Sequence, residues 1–254
     1  MKLTLYTIPG SHPCKVVETA LAIKGLEYKR VDMLPGIAQA YQRFAFGKRT
    51  VPGLRFGNER VVGSRLILRA LEGLRPEPAL VPADPELRAA VDAAEAWGED
   101  ELQGKTRFAL LYALSIRPDA GKSFIAGSGL PEFPGWLLNR MMRPTFKGEL
   151  LLNRASQSGV EKAVRDIPSL IDRVDALIAE GTIGGDEPNV ADLQIAGSVR
   201  VLLTIDDFRD LIDGRPAGEH ARRLIPDYPG QVPAGALPAE WLPAAAPSAE
   251  PVPA

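Results

Sequence analysis

No regular element can run through residues 75–85. Pro76, Pro78, Pro82 and Pro85 interrupt that stretch; each removes a backbone donor, and the residue before each is pushed away from helical angles. The two sides of this joint read differently. Upstream, strand and helix signals alternate; downstream, the strand signals fade and helical spacing dominates. The 254 residues therefore divide into a domain at 1–74, a linker at 75–85 and an all-helical domain at 86–228, with length enough for a real core. A Pro- and Ala-rich tail, 229–254, is expected to be disordered.

Within the first domain, Leu3, Leu5 and Thr7 share one face of an opening strand that stops at Pro9-Gly10. A helix follows from Pro13, with Val16, Val17, Ala20 and Leu21 at helical spacing and Gly25 as its stop. Glu27–Val31 reads as a second strand, parallel to the first. Pro35–Lys48 reads as a loop with a short helical turn. Val51–Phe56 and Arg60–Val62, separated by Gly57-Asn58, predict a hairpin. Ser64 is placed to cap a helix carrying Leu66, Ile67, Ala70 and Leu71. The order is β-α-β-α-β-β-α.

Downstream, helices are expected at 86–114 (one or two), 136–152, 168–180 and 189–205, the last so apolar that it should be buried. Asn189 and Asp192 form a capping-box pair at its start. Gly121-Lys122-Ser123 lacks the upstream glycine of a phosphate-binding loop and reads as a joint between helices.

Thirty Lys and Arg against 32 Asp and Glu, a net charge of −2, give no electrostatic reason to expect nucleic acid or an anionic membrane as partner. The longest nearly apolar stretch, 108–114, is too short to span a bilayer. Cys14 is alone, so no disulfide can form within the chain, which fits a reducing, cytoplasmic setting. His12 and His220 lie far apart in sequence, and no metal site is expected.

Three local motifs, in this order, give the chain a resemblance to the glutathione S-transferase superfamily. Ser11-His12-Pro13-Cys14, followed by Lys24-Gly25-Leu26-Glu27-Tyr28, resembles the family's first helix and its entry into strand two. Thr50-Val51-Pro52-Gly53-Leu54 with Val62-Gly63-Ser64 resembles its glutathione-binding segment. Gly184–Asp192 resembles the capping motif of its helical domain. The resemblance implies an α/β thioredoxin-like domain followed by an all-α bundle, and glutathione or another low-molecular-weight thiol as cosubstrate. It implies a cis bond before Pro52, a thiol backbone docked on Val51, and Ser64 holding a carboxylate at a helix start. Lys48 or Arg49 would meet the ligand's other carboxylate. The family often has an acidic residue where Gly63 stands. A homodimer is common in that family.

Two residues compete for the chemistry. Cys14 lies near a helix start, where thiolates are favoured. Ser11, one turn earlier, occupies the position from which family members hydrogen-bond the bound thiolate, and is placed first. His12 reads as exposed, and Tyr6 as packed between strand and helix. The pocket for a small electrophile should lie against the first long helices of the second domain, with Phe108, Leu111 and Tyr112 as apolar walls. The expected activity is conjugation of the thiol to that electrophile; the alternatives are a thiol-disulfide oxidoreductase using Cys14 or a non-catalytic scaffold.

Overall fold

The computed structural model describes residues 2–132 and 134–243. Four strands, β1 (Leu3–Thr7), β2 (Tyr28–Asp32), β3 (Gly53–Phe56) and β4 (Glu59–Val62), form one sheet in the order β2-β1-β3-β4. β1 runs parallel to β2, with Leu5 opposite Arg30, and antiparallel to β3, with Leu5 opposite Leu54. The hairpin β3–β4 pairs Phe56 with Glu59. Three helices cover the sheet: α1 (His12–Ile23), α2 (Ile37–Phe46) and α3 (Ser64–Leu74). This is the thioredoxin-like arrangement that the resemblance implies.

Every residue of β1 is buried, where period-two alternation predicts one core face. The reason is that helices cover both sides of this central strand. Leu3 and Leu5 join α1 and α3 in the core. Tyr6, on the other face, stacks on Tyr41 of α2 at 5.1 Å and meets Phe46 edge-on. The segment expected to be mostly loop is therefore a ten-residue helix. Its buried side carries Ala38 and Gln42 while Ile37 and Phe44 face outward, so its apolar pattern is inverted.

The proline-rich joint is ordered rather than loose. The fully buried Lys24 pairs with Glu72 at 2.6 Å and donates to the carbonyls of Arg75 and Pro78. Leu80 is buried, its amide donating to Glu72 and its carbonyl accepting from Val190.

The second domain contains α4 (Pro85–Trp97) and α5 (Gln103–Ile116), joined by a π-helical turn over Gly98–Leu102, then α6 (Gly121–Ile125) and α7 (Gly135–Leu152). α8 (Gln157–Ala179), α9 (Val190–Leu202), α10 (Arg209–Ile212) and α11 (Pro216–Leu224) complete it. α8 begins a full three turns before the expected start, with Pro168 inside it. α9 is the central helix: all of it is buried except Arg200. The capping box is formed, Asn189 Oδ1 accepting from the amides of Ala191 and Asp192 while Asp192 accepts from the Asn189 amide.

The two domains meet where α1 crosses α9. A Cβ added at Gly197 would lie 2.6 Å from Cγ2 of Val16, so only glycine allows this approach. Gly197→Leu is expected to destabilise the chain by about 2–3 kcal/mol through overpacking, read as a lowered midpoint of denaturant unfolding. An unchanged midpoint would contradict this account of the interface.

The expectation of a disordered tail from 229 onward does not hold for its first part. Residues up to 243 lie along the helical domain with Val232, Leu237 and Trp241 buried. Val232 pairs with the strand-like Ile205, the Asp207 carboxylate accepts from the amides at 235, 236 and 237, and Trp241 packs on Tyr112. Burial of these three side chains, together with the hydrogen bonds to Asp207 and Thr204, offsets the loss of backbone freedom along the stretch. The remaining tail, 244–254, lies outside the described residues.

Candidate active site

A cavity of about 320 Å³ opens between the domains. One wall is the loop from Ile8 to Pro13 together with Gln39, Arg49, Thr50 and Val51; the other is formed by α5, α6 and α7.

Ser11 is the N-cap of α1, with extended backbone angles, and its side chain makes no capping hydrogen bond. The hydroxyl does not cap the helix; it lies at the edge of the cavity within hydrogen-bond reach of the Cys14 thiol, beside first-turn amides and the positive end of the helix dipole. The preceding turn is fixed from outside: Gly10 has φ +74°, the Phe124 ring lies so close that a Cβ there would come to 2.7 Å, and the Tyr228 hydroxyl donates to the Gly10 carbonyl at 2.8 Å. Val51 also lines the cavity, and the Val51–Pro52 bond is cis. Pro52 itself is buried behind it. Gly53 must be small because the amide of the buried Gln42 lies against it.

Cys14 is placed differently from the nucleophile reading. It is 1% exposed, and burial pushes its thiol up to about 12, an effect that Ser11 and the Ile8 backbone only partly oppose. A neutral, enclosed thiol does not attack. Cys14 is expected to resist a thiol-specific reagent at neutral pH in the native protein and to react fully on denaturation; fast labelling of native protein would show the burial to be wrong.

Ser64 is buried at the first residue of α3, and Gly63 occupies the cap position. Its hydroxyl donates to Gln194 of α9 at 3.1 Å, and Gln194 in turn donates to Gln103 of α5. Ser64 therefore ties three helices together and does not line the cavity. Ser64→Ala is expected to cost about 1–2 kcal/mol in stability, by leaving Gln194 short of a partner, read as a lowered midpoint of denaturant unfolding; an unchanged midpoint would show that the link to Gln194 contributes nothing. Lys48 is exposed and outside the cavity, whereas Arg49 lines it.

His12, expected to be exposed, is 4% exposed and lines the cavity. Burial, reinforced by the charge of Arg107, holds its pKa well below the usual imidazole value, so it is neutral at neutral pH. Arg107 of α5 is so desolvated that its own pKa is lowered, Glu149 and Glu99 offsetting this only in part. Glu149 of α7 accepts from Gln39 at 2.7 Å, and burial raises its pKa against the pull of Arg49 and Arg107. The apolar wall comes from Leu110, Leu111, Leu114, Phe124, Met142 and Phe146. Of the expected wall residues only Leu111 is there; Tyr112 packs on Trp241 instead. Gln39 and Glu149 carry no local signal in the sequence. Arg107 has a faint one, a cation at helical spacing from Leu110, Leu111 and Leu114.

Residues 5–79 match the family model for the glutathione S-transferase N-terminal domain. The described architecture superposes on solved transferases over nearly its whole length. Glutathione S-transferase III in its apo form is 19% identical, with 89% of this chain and 93% of that one covered and a TM-score of 0.62. The chain is a glutathione S-transferase-fold protein. Glutathione S-transferase I bound with lactoylglutathione gives 18% identity, 89% and 94% coverage and a TM-score of 0.59. Glutathione transferase F2 from Populus trichocarpa gives 17%, 89% and 93%, and 0.58. A comparison with curated proteins gives no match. Among the described residues of this transferase-fold chain, no helix is long and apolar enough to cross a membrane.

Proposed function

We propose that this chain conjugates glutathione, or a related small thiol, to a small electrophile. The observation that carries the reading is the Ser11 hydroxyl, which does not cap α1, in the same cavity wall as Val51 and its cis Pro52 and across from an apolar helical wall. In this reading the thiol's cysteinyl backbone lies along Val51 as an added strand. Arg49 and Gln39 stand where a terminal carboxylate can be met. Ser11 donates its hydroxyl hydrogen to the sulfur and, with the first-turn amides, favours the thiolate. The thiol proton leaves to solvent. The sulfur lone pair then forms a C–S bond to the electrophilic carbon, and the leaving group departs with its bonding pair.

Gly63 supplies no carboxylate and Ser64 keeps its hydroxyl on Gln194, so the ligand's amino end has fewer partners than the family pattern offers. Affinity is accordingly expected at the weak end, micromolar to millimolar. The fold is compatible with a homodimer and with work in the cytoplasm. The test is steady-state conjugation of reduced glutathione to an activated aryl halide. Saturable, enzyme-dependent thioether formation supports the reading; a rate equal to the uncatalysed one across aryl halides, epoxides and enones overturns it.

A further inference from the structure

We propose that the helical wall of the cavity takes an amphiphilic carboxylate, its apolar body along Leu110, Leu114 and Phe124 and its carboxylate on Arg107. The proposal names a substrate class for the transferase reading: an electrophile, or a competing ligand, that carries an organic acid. Only the word electrophile rests on that reading.

Arg107, Leu110, Leu111 and Leu114 share one face of α5 and all line the cavity. A guanidinium in an apolar wall is costly unless something answers its charge. Elsewhere this chain supplies the answer itself. Arg69 has Glu95 and Asp92 within 2.8 Å, and Arg215 has Asp172 and Asp175 within 2.7 Å. Among the described residues Arg107 has no such ion pair; Glu149 acts on it only at a distance and is itself held by Gln39.

His12 adds a polar residue to the cavity near Arg107, whose charge acts on it. Its Nε2 is buried without a hydrogen-bond partner, and the residue lines the same cavity. Two arginines, Arg49 and Arg107, face the single carboxylate of Glu149 in this cavity. Arg49 stands on the wall assigned to the thiol, which leaves Arg107, on the opposite wall, for the second ligand. The apolar surface around it suits an aryl or alkyl body rather than a free inorganic anion.

The experiment is calorimetric titration of the full chain with 4-phenylbutyrate and with its uncharged amide, each with and without saturating reduced glutathione. The wild type is expected to prefer the acid by about tenfold or more, since a charge-assisted contact is lost in the amide. Arg107→Gln should bring the ratio close to one, and Arg107→Lys should keep most of it, both with unfolding midpoints near the wild type. The arm without glutathione is independent of the thiol reading: acid preference there, with no glutathione binding, retains this proposal and sinks the other. Equal binding of acid and amide overturns it, as does a preference that survives in Arg107→Gln. Loss of glutathione affinity in Arg107→Gln, with acid and amide bound alike, would assign Arg107 to the thiol and overturn it as well.

Discussion

Ser11→Ala is expected to lower kcat/KM for conjugation by about 10²- to 10³-fold, the usual effect of removing one donor aimed at developing or retained negative charge. Glutathione affinity should change little, because in the proposed binding mode the contacts along Val51 and at Arg49 do not use the Ser11 hydroxyl. The side chain is well placed for so specific an effect. It takes no part in capping α1, so its loss leaves the helix intact, and the turn before it is held by Phe124 and Tyr228 rather than by Ser11 itself. Ser11→Thr keeps the hydroxyl and should recover much of the rate. Full activity in the alanine variant, with glutathione bound, would remove Ser11 from the mechanism.

The largest effect on stability is expected at Asp192, far from the cavity. It is completely buried and accepts from the amides of Gly184 and Asn189, and His220 Nε2 lies 3.0 Å from Oδ1. These partners sit on the loop before α9, on the cap itself and on α11, so one carboxylate organises the start of the central helix. Asp192→Ala leaves two amides without their acceptor and removes the carboxylate beside the buried His220 ring. A loss of about 3–5 kcal/mol follows, or roughly 10 °C in Tm for a chain of this size. Asp192→Asn keeps one acceptor oxygen and should fall between. A melting curve within about 2 °C of wild type for the alanine variant would show that the network is dispensable.

The elements most legible in the sequence were those whose packing is periodic and local. α1 and the β3–β4 hairpin carry apolar patterns that survive in the fold, β1 keeps Leu3 and Leu5 in the core, α9 is marked by its continuous apolar character, and Gly25, the proline joint and Asn189 mark ends that depend on nearby backbone. α2 was hidden because its buried face holds Gln42 and Ala38 while Phe44 points to solvent; its apolar spacing does not mark the face that meets the core. The ordered stretch from 229 to 243 was hidden for another reason. Its anchors are sparse, aperiodic side chains and amides taken up by Asp207, which lies more than two dozen positions upstream.

The site divides along the same line. Ser11, Val51 and Pro52 sit in motifs where a turn or a helix start fixes the geometry locally, and they were readable. Arg107, Gln39 and Glu149 reach the cavity from three separate helices, and only the tertiary fold brings them together. Ser64 shows the opposite case. Its local position, at a helix start after a hairpin, is that of a ligand-binding serine, but Gln194 of α9 claims the hydroxyl. Cys14 is one turn into α1 and faces the core rather than the cavity, so the helix start that would activate a thiol is denied to it by burial.

The central claim is that this cavity turns a bound thiol into a thiolate through Ser11. The most direct measurement is an ultraviolet difference titration of the thiolate of protein-bound glutathione against pH, in the wild type and in Ser11→Ala. The account predicts a thiol pKa at least about one unit below that of free glutathione in the wild type, returning toward the free value in the variant. A bound thiol that titrates as free glutathione does in the wild type, or one equally shifted in both proteins, would contradict it.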